Sequence, residues 1–165
     1  MRVARALLSL GAMAALLAGC ALFTAERSSG VDAARVAQVE LYEYAWGAED
    51  EHVDVARIPR SSSNTEVITE LVGMFHEMPT TPLGSVNHED VDGAPTLGVR
   101  YLLDDGEQVE MTRIFLGHQD VVVIWPDGQA TRSTWGAPDL IDYYGPFGEV
   151  SQVGASEAPA AVLAG

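Results

Sequence analysis

The chain has 165 residues, with nine arginines, no lysine and 24 acidic residues, for a formal net charge of -15 and a pI near 4.3. A basic footprint for phosphate is missing, which excludes nucleic acid as a partner. Arg2 and Arg5 precede every Asp and Glu, so the part beyond residue 20 carries seven Arg against 24 acids, a balance that favours solubility and repels anionic surfaces.

Residues 1–19 have the three parts of a targeting segment in order. Arg2 and Arg5 form a positive start, and Ala6 to Ala18 is an uncharged apolar run of the length of a signal-peptide core. It is shorter than the roughly 20 residues that a spanning helix needs. The run ends in Leu17-Ala18-Gly19-Cys20, and Cys20 is the single cysteine. With no partner in the chain it forms no internal disulfide, and no His or Cys cluster lies beside it to make a zinc site.

This stretch resembles the lipobox of bacterial lipoprotein precursors. The resemblance implies signal-peptidase recognition of Leu17, Ala18 and Gly19, a diacylglyceryl group on the sulfur of Cys20, and Cys20 as the first mature residue. Two acyl chains anchor stably where one is marginal. The expected place is the outer face of the cytoplasmic membrane, with membrane lipid as a partner through Cys20. Residues 20–35 are expected to be a flexible tether, with a typical reach of about 20 Å for fifteen residues.

Residues 36–147 read as one domain. In "VAQVELYEYAW" Ala37, Val39 and Leu41 alternate with polar residues, which predicts a half-buried strand. "HVDVARI" follows as the second arm of a hairpin. Ser63 and Glu66 have capping-box spacing, and Val67, Ile68, Leu71, Val72 and Phe75 share one helical face ahead of Pro79. After a loop, Leu97, Val99, Tyr101 and Leu103 alternate up to Asp104-Asp105-Gly106, a hairpin turn signal. "QVEMTRIFLG", "DVVVIW" and "QATRSTW" are three more strands, the second apolar enough to be central. A short helix is predicted from Pro138 to Tyr144. Residues 148–165, rich in small residues, are expected to be a disordered tail.

The predicted fold class is therefore α+β: an antiparallel sheet of about six strands in the order β-β-α-β-β-β-β-α, with one main helix on one face. In element order the domain is similar to the small uncharacterised sheet-and-helix domains that follow lipoboxes in Gram-positive lipoproteins, a likeness that implies no activity.

Candidate chemistry is sparse. Asp90 and Asp92, followed by Gly93, form the core of a calcium loop, but His88 and Val99 stand where the full pattern needs acids. Glu49 and Asp50, beside Glu51, His52 and Asp54, form a second acidic loop, and a weak divalent-cation site in 49–54 or 88–93 is the alternative function. His52, His76, His88 and His118 have no metal-ligand spacing. Ser61, Ser62 and Ser63 lack a nucleophile elbow. No cofactor and no enzymatic activity are expected, with an unrecognised catalytic site as a further alternative. Trp46, Trp125, Trp135, Tyr42, Tyr44, Tyr143 and Tyr144 could line a glycan or peptide surface if exposed together. The leading expectation is a lipid-anchored extracytoplasmic binding module with an envelope protein or glycan as partner.

Overall fold

A computed structural model describes residues 25–47, 52–83, 88–117, 119–134 and 139–159. The chain runs through β1 (Ala25–Arg27), β2 (Val36–Ala45), β3 (His52–Pro59), α1 (Thr65–Gly73), β4 (Met78–Pro82), α2 (His88–Val91), β5 (Pro95–Leu103), β6 (Gln108–Gly117), β7 (Asp120–Ile124), β8 (Ala130–Ser133), α3 (Leu140–Tyr144) and β9 (Glu149–Gly154). The nine strands form one sheet in the order β1-β4-β8-β7-β6-β5-β2-β3-β9, and every neighbouring pair is antiparallel.

This corrects the expected fold class. Among the described residues the protein is a sheet-rich fold of nine strands with three short helices, rather than an α+β fold of six strands built round one main helix. Three strands lie in segments whose composition hides them. β1 falls in the expected tether and pairs with β4 through Ala25↔Thr80 and Arg27↔Met78. β4 holds Pro79 and Pro82, residues that normally argue against a strand. β9 falls in the expected disordered tail, yet it pairs with β3 over six positions from His52↔Gly154 to Arg57↔Glu149.

Two periodicities explain which face is which. Val39 and Leu41 of β2, Leu97, Val99, Tyr101 and Leu103 of β5, and Met111 of β6 join Val67, Ile68, Leu71, Val72 and Phe75 in the main core. Leu140, Ile141 and Tyr144 of α3 join the same core, so α1 and α3 cover one face. The helix starts differently from expectation: Asn64 is the N-cap residue and makes no side-chain cap bond, and Ser63 bonds Ser61 and Asn64 instead. Asn64 Nδ2 donates to the carbonyls of Pro59 (3.1 Å) and Phe147 (2.8 Å), tying the start of α1 to the turn after α3.

The opposite face carries two smaller apolar clusters. Val91 of α2 plugs one, against Ile114, Val122 and Ile124. Ala158 closes the other, against Tyr42, Val53 and Val55. β7, between β6 and β8, is buried at all four of its apolar positions, Val121 to Ile124.

Candidate functional site

On the same face as those two clusters, to one side of both, runs a rung of charge. Glu149, Arg57, Glu40, Arg100 and Glu110 are successive cross-strand partners on β9, β3, β2, β5 and β6, so the sign alternates from strand to strand. Directly opposed unlike charges stabilise a pairing, and a one-residue slip would break every one of them. Glu40 is the centre, only 7 % exposed. Its Oε2 accepts from the Tyr42 hydroxyl (2.5 Å) and from Arg100 Nη1 (3.1 Å), and its Oε1 accepts from Gln38 (2.9 Å) and faces Arg57 Nε at 3.3 Å. Arg100 also reaches Glu110 (2.6 Å) and the carbonyl of Glu157 (2.7 Å).

Burial alone would raise the Glu40 carboxyl, but the Tyr42 hydroxyl and the Arg100 and Arg57 charges together hold it below the usual glutamate range. Burial and the same Glu40 bond push the Tyr42 phenol up. Both groups are thereby fixed in one protonation state at neutral pH. The groups around Glu40 are ion-paired and hydrogen-bonded to one another, which suits a register lock and not a proton shuttle.

A second charged group lies in the main core. Arg113 is 3 % exposed; its Nη2 donates to the carbonyl of Met74 (2.8 Å), just past the C-terminal end of α1, and its guanidinium lies 3.9 Å over the Phe75 ring. Its Nε has no hydrogen-bond partner among the described residues. Burial lowers its pKa to about 10. The α1 carbonyl end and the ring face stabilise this cation in place of a carboxylate.

Among the described residues, the acidic and histidine candidates singled out from sequence are not gathered into one metal-binding group. Cys20 with Leu17, Ala18 and Gly19, the acidic pair Glu49 and Asp50, and His118 and Trp135 lie outside the described residues. Asp90 sits on α2 and Asp92 directly after it, both exposed. The segment 88–93 is thus no open calcium loop: its Val91 is buried in the sheet's second face, and Gly93 N–H donates to the Trp46 carbonyl (2.7 Å). No group of three or more His, Cys, Asp or Glu able to hold a metal ion occurs among the described residues. His52, His76 and His88 lie on or beside separate elements, β3, α1 and α2. The His76 ring meets the Ser28 hydroxyl (3.2 Å), while the Ser61 and Ser63 hydroxyls meet each other (2.8 Å).

The aromatic surface is also corrected. Tyr42, Trp125 and Tyr144 are buried, Tyr44 and Trp46 are half-buried, and Tyr143 is the single exposed ring of the set among the described residues. The indole of Trp125 donates to Thr131 Oγ1 (2.7 Å), and the Tyr44 hydroxyl donates to the carbonyl of Pro159 (3.1 Å). These rings serve packing, so the described members of the set form no aromatic platform for a glycan.

Sequence reasoning missed what the arginines do. Each of the seven beyond residue 20 is engaged inside the domain. Arg27 pairs with Asp127, Arg35 with Asp104 and Asp105, Arg57 and Arg100 with Glu40, and Arg132 with Asp120. Arg60 donates to the carbonyls of Val36 and Ala33, and Arg113 to that of Met74. The polar phase of β2 and β5 signalled Glu40 and Arg100, but only the strand pairing shows that they meet. The outward surface is left anionic. No protein-family model, no curated protein and no solved structure matches this chain.

Proposed function

We propose that the chain is a lipid-anchored, extracytoplasmic protein of the cell envelope whose folded part is an interaction module. The observation that carries this reading is the run from Arg2 through the uncharged Ala6–Ala18 stretch to Leu17-Ala18-Gly19-Cys20. Its order fits a lipoprotein signal, and a thioether-linked diacylglyceryl group on Cys20 supplies the membrane partner. The spent arginines and the anionic surface suit a module that stands off anionic lipid and meets other molecules.

If Cys20 is the anchor, the sheet sits close to the bilayer. β1 begins at Ala25, so five peptide links separate the sheet from the lipid, at most about 18 Å. β1 is one edge of the sheet and β9 is the other. Eight strand spacings of about 4.8 Å put roughly 38 Å of sheet between them.

Metabolic labelling with radioactive palmitate tests the anchor. Label is expected in the wild-type protein and absent from Cys20→Ala, which would also leave the membrane fraction. Equal label in both proteins refutes lipidation at Cys20.

A further inference from the structure

Three large apolar side chains are exposed among the described residues: Tyr143 (65 %), Phe147 (42 %) and Val150 (53 %). They follow one another along α3, the 3-10 turn Gly145–Phe147 and the start of β9. Val150 folds back over that turn, because its Cγ2 lies 2.8 Å from where a Cβ on Gly145 would stand. The patch is held rather than loose: Asn64 Nδ2 binds the Phe147 carbonyl (2.8 Å), and Gly148 sits against the backbone of Arg57. A surface fixed in advance loses less entropy on binding.

The patch borders an open edge. Among the described residues β9 has one neighbour in the sheet, β3, and no strand pairs with its other side. Proteins usually blunt such an edge with Lys, Pro, a bulge or extreme shortness. β9 has six residues, Glu-Val-Ser-Gln-Val-Gly, without Pro, and its register with β3 runs without a shift. β9 thus lacks two of those devices, proline and a bulge.

Charge selects among possible occupants. Asp139 and Asp142, close before Tyr143 in the chain, are exposed, and among the described residues no arginine forms an ion pair with either. A second copy of this chain would bring like charge to the rim; a cationic partner would gain from it. We propose that the α3–β9 rim docks an extended segment of a partner protein, apolar at alternate positions and flanked by Lys or Arg, which adds a tenth strand to β9 and covers Val150, Phe147 and Tyr143. Main-chain bonds along β9 supply affinity, and the apolar patch and acidic border supply selectivity. This deepens the interaction-module reading and rests on it. With Cys20 as anchor, the rim is on the edge remote from the attachment.

The test uses the full chain in detergent micelles and a fluorescent peptide, Lys-Lys-Val-Thr-Ile-Thr-Val-Lys-Lys, followed by anisotropy. Saturable binding is expected, weakened about tenfold when Glu replaces the flanking lysines and about tenfold in the Val150→Thr/Tyr143→Ser double variant. N-methylation of the peptide's central amides, which leaves the protein untouched, is expected to abolish binding. Amide exchange at 149–154 should slow in the complex. The proposal is overturned if no binding saturates below about 1 mM, if Lys- and Glu-flanked peptides bind equally, or if N-methylation changes nothing. Dimers in sedimentation that Val150→Thr disperses would overturn it in favour of a second copy. Palmitate labelling is independent of all these outcomes, so failure at the rim and failure of the anchor are separable.

Discussion

Glu43 on β2 and Asp54 on β3 stand directly opposite each other, on the face that α1 and α3 cover. Two like charges in that position repel, at a cost of about 0.2–1 kcal/mol. An offsetting bond keeps Glu43 in place, since its Oε1 accepts the N–H of Ile141 (2.8 Å), one of the free donors at the start of α3. Burial raises its carboxyl, the Ile141 bond lowers it, and Asp139, Asp142 and Asp54 raise it again, leaving it above the ordinary glutamate value.

The sign of its pH linkage follows. A carboxyl whose folded pKa is raised takes up protons on folding, so its contribution to stability improves as pH falls through that raised pKa. Glu43→Gln keeps an oxygen for Ile141 and removes the charge. In urea unfolding at pH 7 it should be more stable than wild type by about 0.5–1 kcal/mol. The gain should disappear near pH 4, where wild-type Glu43 is itself protonated; an equal gain at both pH values would contradict the linkage.

Glu40, three residues earlier and on the opposite face, must behave in the reverse way. Its folded pKa is lowered by Tyr42, Arg100 and Arg57 against the upward push of burial, so it stabilises the fold above its unfolded pKa and loses that contribution as pH falls through the folded one. Glu40→Ala leaves Arg57 and Arg100 as neighbours without the carboxylate between them, at a cost of roughly 3 kcal/mol. Acid unfolding monitored by tryptophan fluorescence should show the deficit of Glu40→Gln largest at neutral pH and shrinking toward pH 3. A deficit that grows on acidification would show that the rung does not act through the ionised carboxylate.

How much of this was legible in the sequence depends on which partners a residue needs. The Val39–Leu41 alternation and the Val67–Phe75 helical face are local signals, and both appear in the core as their periods require. β1, β4 and β9 were hidden because their pairing is non-local: Ala25 needs Thr80 and Val153 needs Val53, and nothing within three to six residues announces that. The same holds for the charged rung. Glu40 and Arg100 are 60 residues apart, each reading as an ordinary polar position on a half-buried strand. Ser63 misled for the opposite reason: its local capping signal was outweighed by the tertiary bonds of Asn64 to Pro59 and Phe147.

Arg113 separates charge from volume. Its guanidinium fills core space over Phe75 and satisfies the Met74 carbonyl, while its cation is held there without an ion pair among the described residues and burial lowers its pKa. Arg113→Met keeps most of the volume and removes a buried cation, a change that is often neutral or stabilising; it should fall within about 1 kcal/mol of wild type. Arg113→Ala removes the volume as well and should cost about 3 kcal/mol through the cavity left beside Phe75 and Tyr101. Urea midpoints of the two variants decide the matter: if Met is as damaging as Ala, the charge itself is what the α1 end requires.

Gly148 joins the 3-10 turn to β9 with extended backbone, φ -148° and ψ -153°, a region open to any residue, so conformational freedom does not explain it. Space does. A Cβ there would overlap the carbonyl of Arg57 and crowd the Cα of Ile58, and both belong to the strand with which β9 pairs. Backbone cannot yield as a flexible side-chain end can, so Gly148→Ala must push the turn away from β3. The expected cost is about 2–3 kcal/mol, concentrated in the last strand. Hydrogen exchange should show protection lost over 149–154 while the amides of β5 and β6 keep theirs. Uniform loss of protection across the sheet would mean that β9 is part of one cooperative unit with the core, and unchanged protection would mean that the turn has room the glycine does not use.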